Sequence, residues 1–159
     1  MSAMDIASPE ISAEVPAGFE PLRRPNSGTA GFVQNCQGVY INLATGMVAA
    51  RILPEHLNPL NIAHGGFLAT LADTAFGAYI RINGKLELPP ATVELSIDYI
   101  SPARPGQWIE AHVELHKLGR TLCNASLSLF DGERLVARAK GTFIANTAMH
   151  AKTLAERKS

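Results

Sequence analysis

Only two of the 159 residues are cysteine, Cys36 and Cys123, and they lie far apart with no Cys-x-x-Cys pair. That excludes a disulfide framework and a cysteine-based zinc site, and leaves two thiols of the kind that behave as small hydrophobes. Neither charge sign is in excess, since Lys plus Arg and Asp plus Glu both number 14. With a formal net charge of zero, no overall field draws the chain to nucleic acid or to an anionic membrane, and an anionic ligand must be met by local groups. The opening Met1-Ser2-Ala3-Met4-Asp5 has neither a basic stretch nor a continuous apolar run, so it does not read as a secretory signal, and a cytoplasmic location is expected. Repeats, low-complexity segments and linkers are lacking as well, which argues against a second domain.

What is present is an apolar chain, 47% hydrophobic, of a length that buries one core. Residues 1–18 mix Ser, Pro, Ala and acids without periodicity, and residues 146–159 are polar and charged. Both ends are expected to be loosely held, leaving 19–145 as the folded domain.

Val39 to Asn42 and Met47 to Leu53 are short β-prone runs joined through Ala44-Thr45-Gly46, as in a hairpin. From Gly65 to about Arg81 the chain is apolar nearly all round, which predicts a helix buried on every side. Its Gly and Thr content and its β-rich surroundings favour a core helix over a membrane span. Val93, Leu95, Ile97 and Tyr99 then alternate with Thr92, Glu94, Ser96 and Asp98, a strand with one apolar and one polar face that ends at Ser101-Pro102. Ile109 to Leu115 alternate likewise, Leu118-Gly119-Arg120 turns the chain into Thr121 to Phe130, and Asp131-Gly132 turns it into Arg134 to Ile144. The expected order is two strands, one helix, then four strands in an antiparallel meander. The predicted fold class is α+β, an antiparallel sheet wrapped around one long central helix.

Asp73 stands out as a carboxylate in the middle of that apolar helix, where an unpaired charge costs several kcal/mol. His64-Gly65-Gly66 lies at the junction of the loop Asn58-Pro59-Leu60-Asn61 with the helix. Glycines at a helix start let a ligand approach backbone amides that have no intrahelical partner, the geometry of an oxyanion hole. Eight residues separate Gly65 from Asp73, so on one helix they lie about 12 Å apart along the axis and about 80° apart in rotation. One helix cannot bring both to one substrate atom. Two helices packed antiparallel about a two-fold axis can, which predicts a site at a dimer interface.

The run from Glu55 through Asn58, His64-Gly65-Gly66 and Asp73 resembles the signature of PaaI-type hotdog thioesterases, in which an Asn, a His-Gly-Gly and an Asp recur at this spacing. The resemblance continues through Tyr99-Ile100-Ser101-Pro102-Ala103 and Gly119-Arg120 to about Phe143, roughly two thirds of the chain. It implies a hotdog fold and hydrolysis of acyl-CoA thioesters by homodimers that often pair into tetramers. By position, Asp73 is implied as general base or nucleophile and the Gly65 amide as donor to the thioester oxygen. Asn58 is implied to position the substrate carbonyl or the water, His64 to brace the loop, and Thr92 to hold the Asp or the attacking water. No cofactor is implied, because CoA is part of the substrate. Relatives with Glu at the acid position carry a Thr one turn later. Here the pair is Asp73 and Gly77, so that assignment does not transfer.

Gly66 and Arg120 are candidate substrate-binding residues, with Arg120 and Lys117 beside a turn where CoA phosphates could be met. Phe67, Phe76, Tyr79 and Tyr99 are candidate acyl-pocket residues, suited to an aryl ring or an aliphatic chain. The family leans towards arylacetyl and medium-chain acyl groups. His112 and His116 share a strand face with Glu110 and Glu114, which fits an exposed polar face, and no metal is expected. His56 and His150 carry no usable signal. Two competing functions are a hotdog hydratase or dehydratase and a non-catalytic acyl-CoA-binding protein. Against the first, the chain lacks the Pro-Gly helix start with a Glu and the Asp-x-x-x-x-His pattern; against the second, Asp73 is present.

Overall fold

The structure is a computed structural model that describes residues 14–23 and 30–145. The ends expected to be loosely held therefore lie outside the described residues, apart from 14–18. In chain order the elements are β1 (Glu20–Pro21), α1 (Phe32–Cys36), β2 (Val39–Asn42), β3 (Met47–Arg51), α2 (Gly65–Asn83), β4 (Ala91–Tyr99), β5 (Trp108–Leu118), β6 (Leu122–Asp131) and β7 (Arg134–Ile144). All seven strands form one antiparallel sheet around α2, the expected α+β architecture.

Four expectations are corrected. The strand order is β1-β2-β3-β5-β6-β7-β4, so β5, β6 and β7 form the meander while β4 pairs with β7 at the far edge, and β5 takes β3 as its other neighbour. The chain leaves α2 on one flank, lays down β4 there, and crosses to β5 through residues 100–107, where Ala63 N–H donates to the Ala103 carbonyl at 2.8 Å. An alternating pattern marks a strand without naming its partner. Secondly, β3 ends at Arg51, because Leu53 opens a 3₁₀ turn with Pro54 at its first position. Thirdly, β1 and α1, each too short to show a period, carry no signal in the sequence.

The fourth concerns α2. Its run free of Pro and rich in Ala and Leu favours a helix, which stops at Gly84 with Lys85 at φ 53°. Phe67, Leu68, Leu71, Ala72, Ala75, Phe76 and Ile80 are buried on one face, against Val48, Ile109, Leu129 and Phe143 from the sheet. Asp73, Thr74, Gly77, Ala78 and Arg81 on the other face are only half-buried. The helix is therefore not covered all round within one chain. Phe143 keeps its place because Gly141 lacks a side chain: a Cβ there would lie 2.6 Å from the Phe143 ring, which packs on Phe76 at 5.1 Å between centroids. No helix among the described residues is long and apolar enough to cross a membrane.

Candidate active site

The start of α2 is held by the loop before it. Asn58 N–H donates to the Ile62 carbonyl at 2.8 Å, and the Asn58 carboxamide oxygen accepts from the amides of Leu60 at 2.9 Å and Ile62 at 3.4 Å. This closes residues 57–63 into a small hairpin, with an antiparallel bridge between Leu57 and Ala63. His64 then caps the helix. Its φ and ψ of −61° and 135° are extended, its backbone N–H donates to the His56 carbonyl at 2.7 Å, and its Nδ1 accepts from Gly66 N–H at 2.8 Å. Phe67 N–H turns back to the His64 carbonyl at 2.9 Å. Of the first three amides of α2, only that of Gly65 is left without a partner among the described residues.

Asp73 lies on the uncovered face of the same helix, and Thr92 Oγ1 donates to its Oδ1 at 2.7 Å. Strict alternation along β4 puts Thr92 on the face with Glu94, pointing away from α2. The structure corrects this. A bulge between Thr92 and Glu94 leaves Val93 as the extra residue, so that Thr92 pairs with Phe143 while Leu95, Ile97 and Tyr99 pair with Gly141, Ala139 and Ala137. Directly opposed residues share a face, and Phe143 points into the core. The bulge thus turns Thr92 towards the helix and Asp73. The expected apolar face of β4 thereby loses Val93, which is 56% exposed, while Tyr99 keeps its side of the strand and is 53% exposed at its end.

Asp73 and Thr92 open onto a cavity of about 960 Å³, bordered by both ends of the sheet, with Leu22 and Ile41 on one side and Pro90 on the other. The remaining candidates are dispersed. Gly66 and His64 line a separate hollow with Phe32 and Cys36. Arg120 is exposed at the β5–β6 turn, with no ion pair among the described residues, and neither it nor Asn58 lines the Asp73 cavity. Phe67 and Phe76 are core residues on the sheet-facing side of α2 and do not line the Asp73 cavity, although Phe67 borders the hollow of Gly66 and His64. Tyr79 is half-buried outside the cavity, and Tyr99 donates its hydroxyl to the Gly65 carbonyl at 2.7 Å. His112 and His116 pair with Glu110 at 3.3 Å and Glu114 at 3.7 Å on an open face, and the described residues hold no cluster of three or more metal-ligating side chains.

His56 is the residue that the sequence did not reveal. It is 4% exposed, its ring stacks on Phe67 at 3.7 Å, and its Nδ1 accepts from Leu53 N–H at 3.0 Å. An N–H can only donate, so Nδ1 is the bare nitrogen and Nε2–H donates to the Cys36 carbonyl at 2.6 Å. His56 thereby ties the end of α1 to the first turn of α2. The only cue in the chain is Pro54, which starts the turn that carries it.

A family model for the thioesterase superfamily matches residues 60–138, from the loop before α2 to β7. A Pseudomonas aeruginosa protein provisionally named an esterase is 39% identical over 134 residues, 81% of this chain and 96% of its own length. Mouse acyl-coenzyme A thioesterase 13 is 31% identical over 94 residues, covering 58% of this chain and 66% of that enzyme. Among solved structures, a mutant form of the phenylacetic acid degradation protein PaaI from Thermus thermophilus superposes with a TM-score of 0.57 at 27% identity, over 80% of this chain and 92% of that one. The stretch matched by the family model runs through the helix start, Asp73 and the strands from β4 into β7. The chain belongs to the thioesterase superfamily and is a thioester hydrolase on the hotdog fold.

Proposed function

We propose that the protein hydrolyses acyl-CoA thioesters, with aryl or medium-chain acyl groups, to the free acid and CoA at sites shared between two subunits. The observation that carries this reading is the Asp73 carboxylate, held by Thr92 at the wall of the 960 Å³ cavity. A thioester needs its carbonyl polarised and an oxygen nucleophile delivered, and a fixed carboxylate beside an apolar cavity serves the second need. The unpaired Gly65 amide at a helix start serves the first, because it faces the developing negative charge with the positive end of the helix dipole. In the water route a C–O bond forms as Asp73 takes the water's proton, and that proton passes to the sulfur as the C–S bond breaks. In the nucleophilic route an Asp73 oxygen bonds to the acyl carbon as the C–S bond breaks and CoA leaves as the thiolate; water then opens the mixed anhydride to the free acid and the Asp73 carboxylate, and the released proton goes to the thiolate. Both use the same carboxylate, and neither needs a cofactor beyond the substrate's own CoA.

Gly65 and Asp73 stand on one helix, about 12 Å apart along its axis, so each site would pair Asp73 of one subunit with Gly65 of another. The edge strand β4 supports such pairing, with Val93 and Tyr99 within it and Ile100 just beyond it all more than half exposed. Association of dimers into a tetramer would follow the family. In this reading Asn58, whose oxygen is engaged within its loop, offers its amide hydrogens to the substrate. Gly66 keeps the approach open, and Arg120 meets a CoA phosphate.

The test is release of free CoA from aryl, short, medium and long acyl-CoAs by the native chain and by Asp73→Asn. Turnover of some member, with a loss of orders of magnitude in a folded mutant, supports the reading. Binding of acyl-CoA without hydrolysis would replace it with a non-catalytic or hydratase-type role.

A further inference from the structure

Gly77 lies one turn beyond Asp73 in the interior of α2, where glycine is destabilising relative to alanine. Nothing local calls for it. Its φ is not left-handed, and a Cβ built on it meets no atom within 4 Å. The other interior contacts of the helix give no reason for the residue, but the cavity does, because Gly77 and Ala78 continue the wall that Asp73 and Thr74 begin. Asp73, Gly77 and Arg81 follow at i, i+4 and i+8 along one stripe of the helix. Leu22, Val33, Ile41 and Leu43 line the cavity as well. The apolar stretch stops where Arg81, Lys85 and Glu87 border it.

We propose that Gly77 determines acyl-chain specificity: the acyl group leaves the thioester carbonyl beside Asp73 and runs along α2 over Gly77 and Ala78 towards Arg81. This rests on the acyl-CoA reading above and deepens it by naming a substrate class. Eight residues of helix span about 12 Å, and with carbon–carbon bonds near 1.5 Å that accommodates an extended chain of about eight to ten carbons. The charged border disfavours a longer alkyl tail, which would have to desolvate Arg81 and Lys85. A cavity near the upper end of ordinary ligand sites leaves room for the chain with water beside it.

The test compares the native enzyme with Gly77→Ala, Gly77→Val and Gly77→Phe on straight-chain acyl-CoAs from acetyl to palmitoyl. Native kcat/KM should peak at octanoyl- or decanoyl-CoA. Because loss of apolar contacts discriminates chains by roughly tenfold to a hundredfold, Gly77→Phe should lower the decanoyl-to-butyryl ratio by at least about tenfold, with Gly77→Val intermediate. Binding is read separately in Asp73→Asn: decanoyl-CoA should raise Tm more than acetyl-CoA does, and adding Gly77→Phe should remove that excess. If the native chain hydrolyses nothing while the chain-length effect on Tm persists, the pocket assignment stands and the hydrolytic reading fails. An equal loss at every chain length would place the common pantetheine arm in the cavity and sink the inference. So would dissociation of the Gly77→Phe oligomer in sedimentation, which would make Gly77 a subunit contact.

Discussion

The Tyr99 hydroxyl donates to the Gly65 carbonyl at 2.7 Å, and its ring fills the space that a side chain at position 65 would need, since a Cβ there would lie 3.1 Å from Tyr99 Cζ. The last residue of β4 thus presses on the first residue of α2. Gly65→Ala should displace Tyr99 and disturb the helix start, lowering kcat by about tenfold, while Tyr99→Phe loses one hydrogen bond and about 1 kcal/mol of stability. Because the residues touch, the effects of Gly65→Ala and Tyr99→Ala should not add in a double-mutant cycle of urea midpoints. Additivity would show that they do not constrain each other.

Gly65→Pro removes the amide hydrogen, and Gly65→Ala, whose Cβ meets Tyr99 in the same way, controls for the added side chain. Proline is tolerated at the first helical position, and His64 already holds the extended conformation that a following proline requires. Loss of one oxyanion donor should lower kcat by about a hundredfold to a thousandfold in all, well beyond the fall in Gly65→Ala. Gly65→Pro and Asp73→Asn subunits, each inactive alone, should recover activity when unfolded and refolded together, since mixed dimers contain one site with both groups intact. Mixtures that stay inactive would argue against shared sites.

Thr92→Val keeps the shape of the side chain and removes the donor to Asp73. Hydrogen bonds to charged groups contribute about 1.5–3 kcal/mol, and at this half-exposed pair the lower end applies, so kcat should fall about tenfold. Thr92→Ser should restore most of it. A Ser variant as slow as the Val variant would shift the role from the hydroxyl to packing.

Gly141→Ala should destabilise the fold by about 1–3 kcal/mol, because the added methyl meets the fully buried Phe143 ring, which has no room to swing. Equilibrium denaturation measures this directly, and a variant of native stability would mean that the Phe143 and Phe76 pair can repack.

Burial pushes the Cys123 thiol above the ordinary thiol range. The unfolded chain therefore gives up this proton first, so native protein binds more protons there and stability falls as pH rises into and beyond that range. Cys123→Ala should flatten this alkaline loss. In native protein a thiol reagent should modify half-buried Cys36 well before buried Cys123, with both reacting in denaturant. Equal rates in the native state would show that the core opens readily.

The helix, its start and its central acid were legible because composition marks them: an unbroken apolar run, two glycines behind a histidine, and one carboxylate out of place. The three-strand meander was legible because its turns carry Gly119 and Asp131-Gly132. The place of β4 was not, since pairing with β7 depends on where α2 delivers the chain. His56 was hidden because a buried histidine differs from an exposed one only by partners distant in sequence, here Phe67 and the Cys36 carbonyl. The half-open face of α2 was misjudged because its small residues, Gly77 and Ala78, count as apolar whether they pack against a neighbour or border a void.

The bulge at Val93 makes the path of the strand, rather than residue identity, decide which neighbour Thr92 meets. Deleting Val93 would remove the bulge and leave Thr92 opposite Phe143, still beside the acid. A strand that kept all its residues but ran straight would slip Thr92 by one place along β7 and turn it away, so the acid would lose its partner with no polar residue removed. Such a protein could keep every signature residue and still be a poor hydrolase.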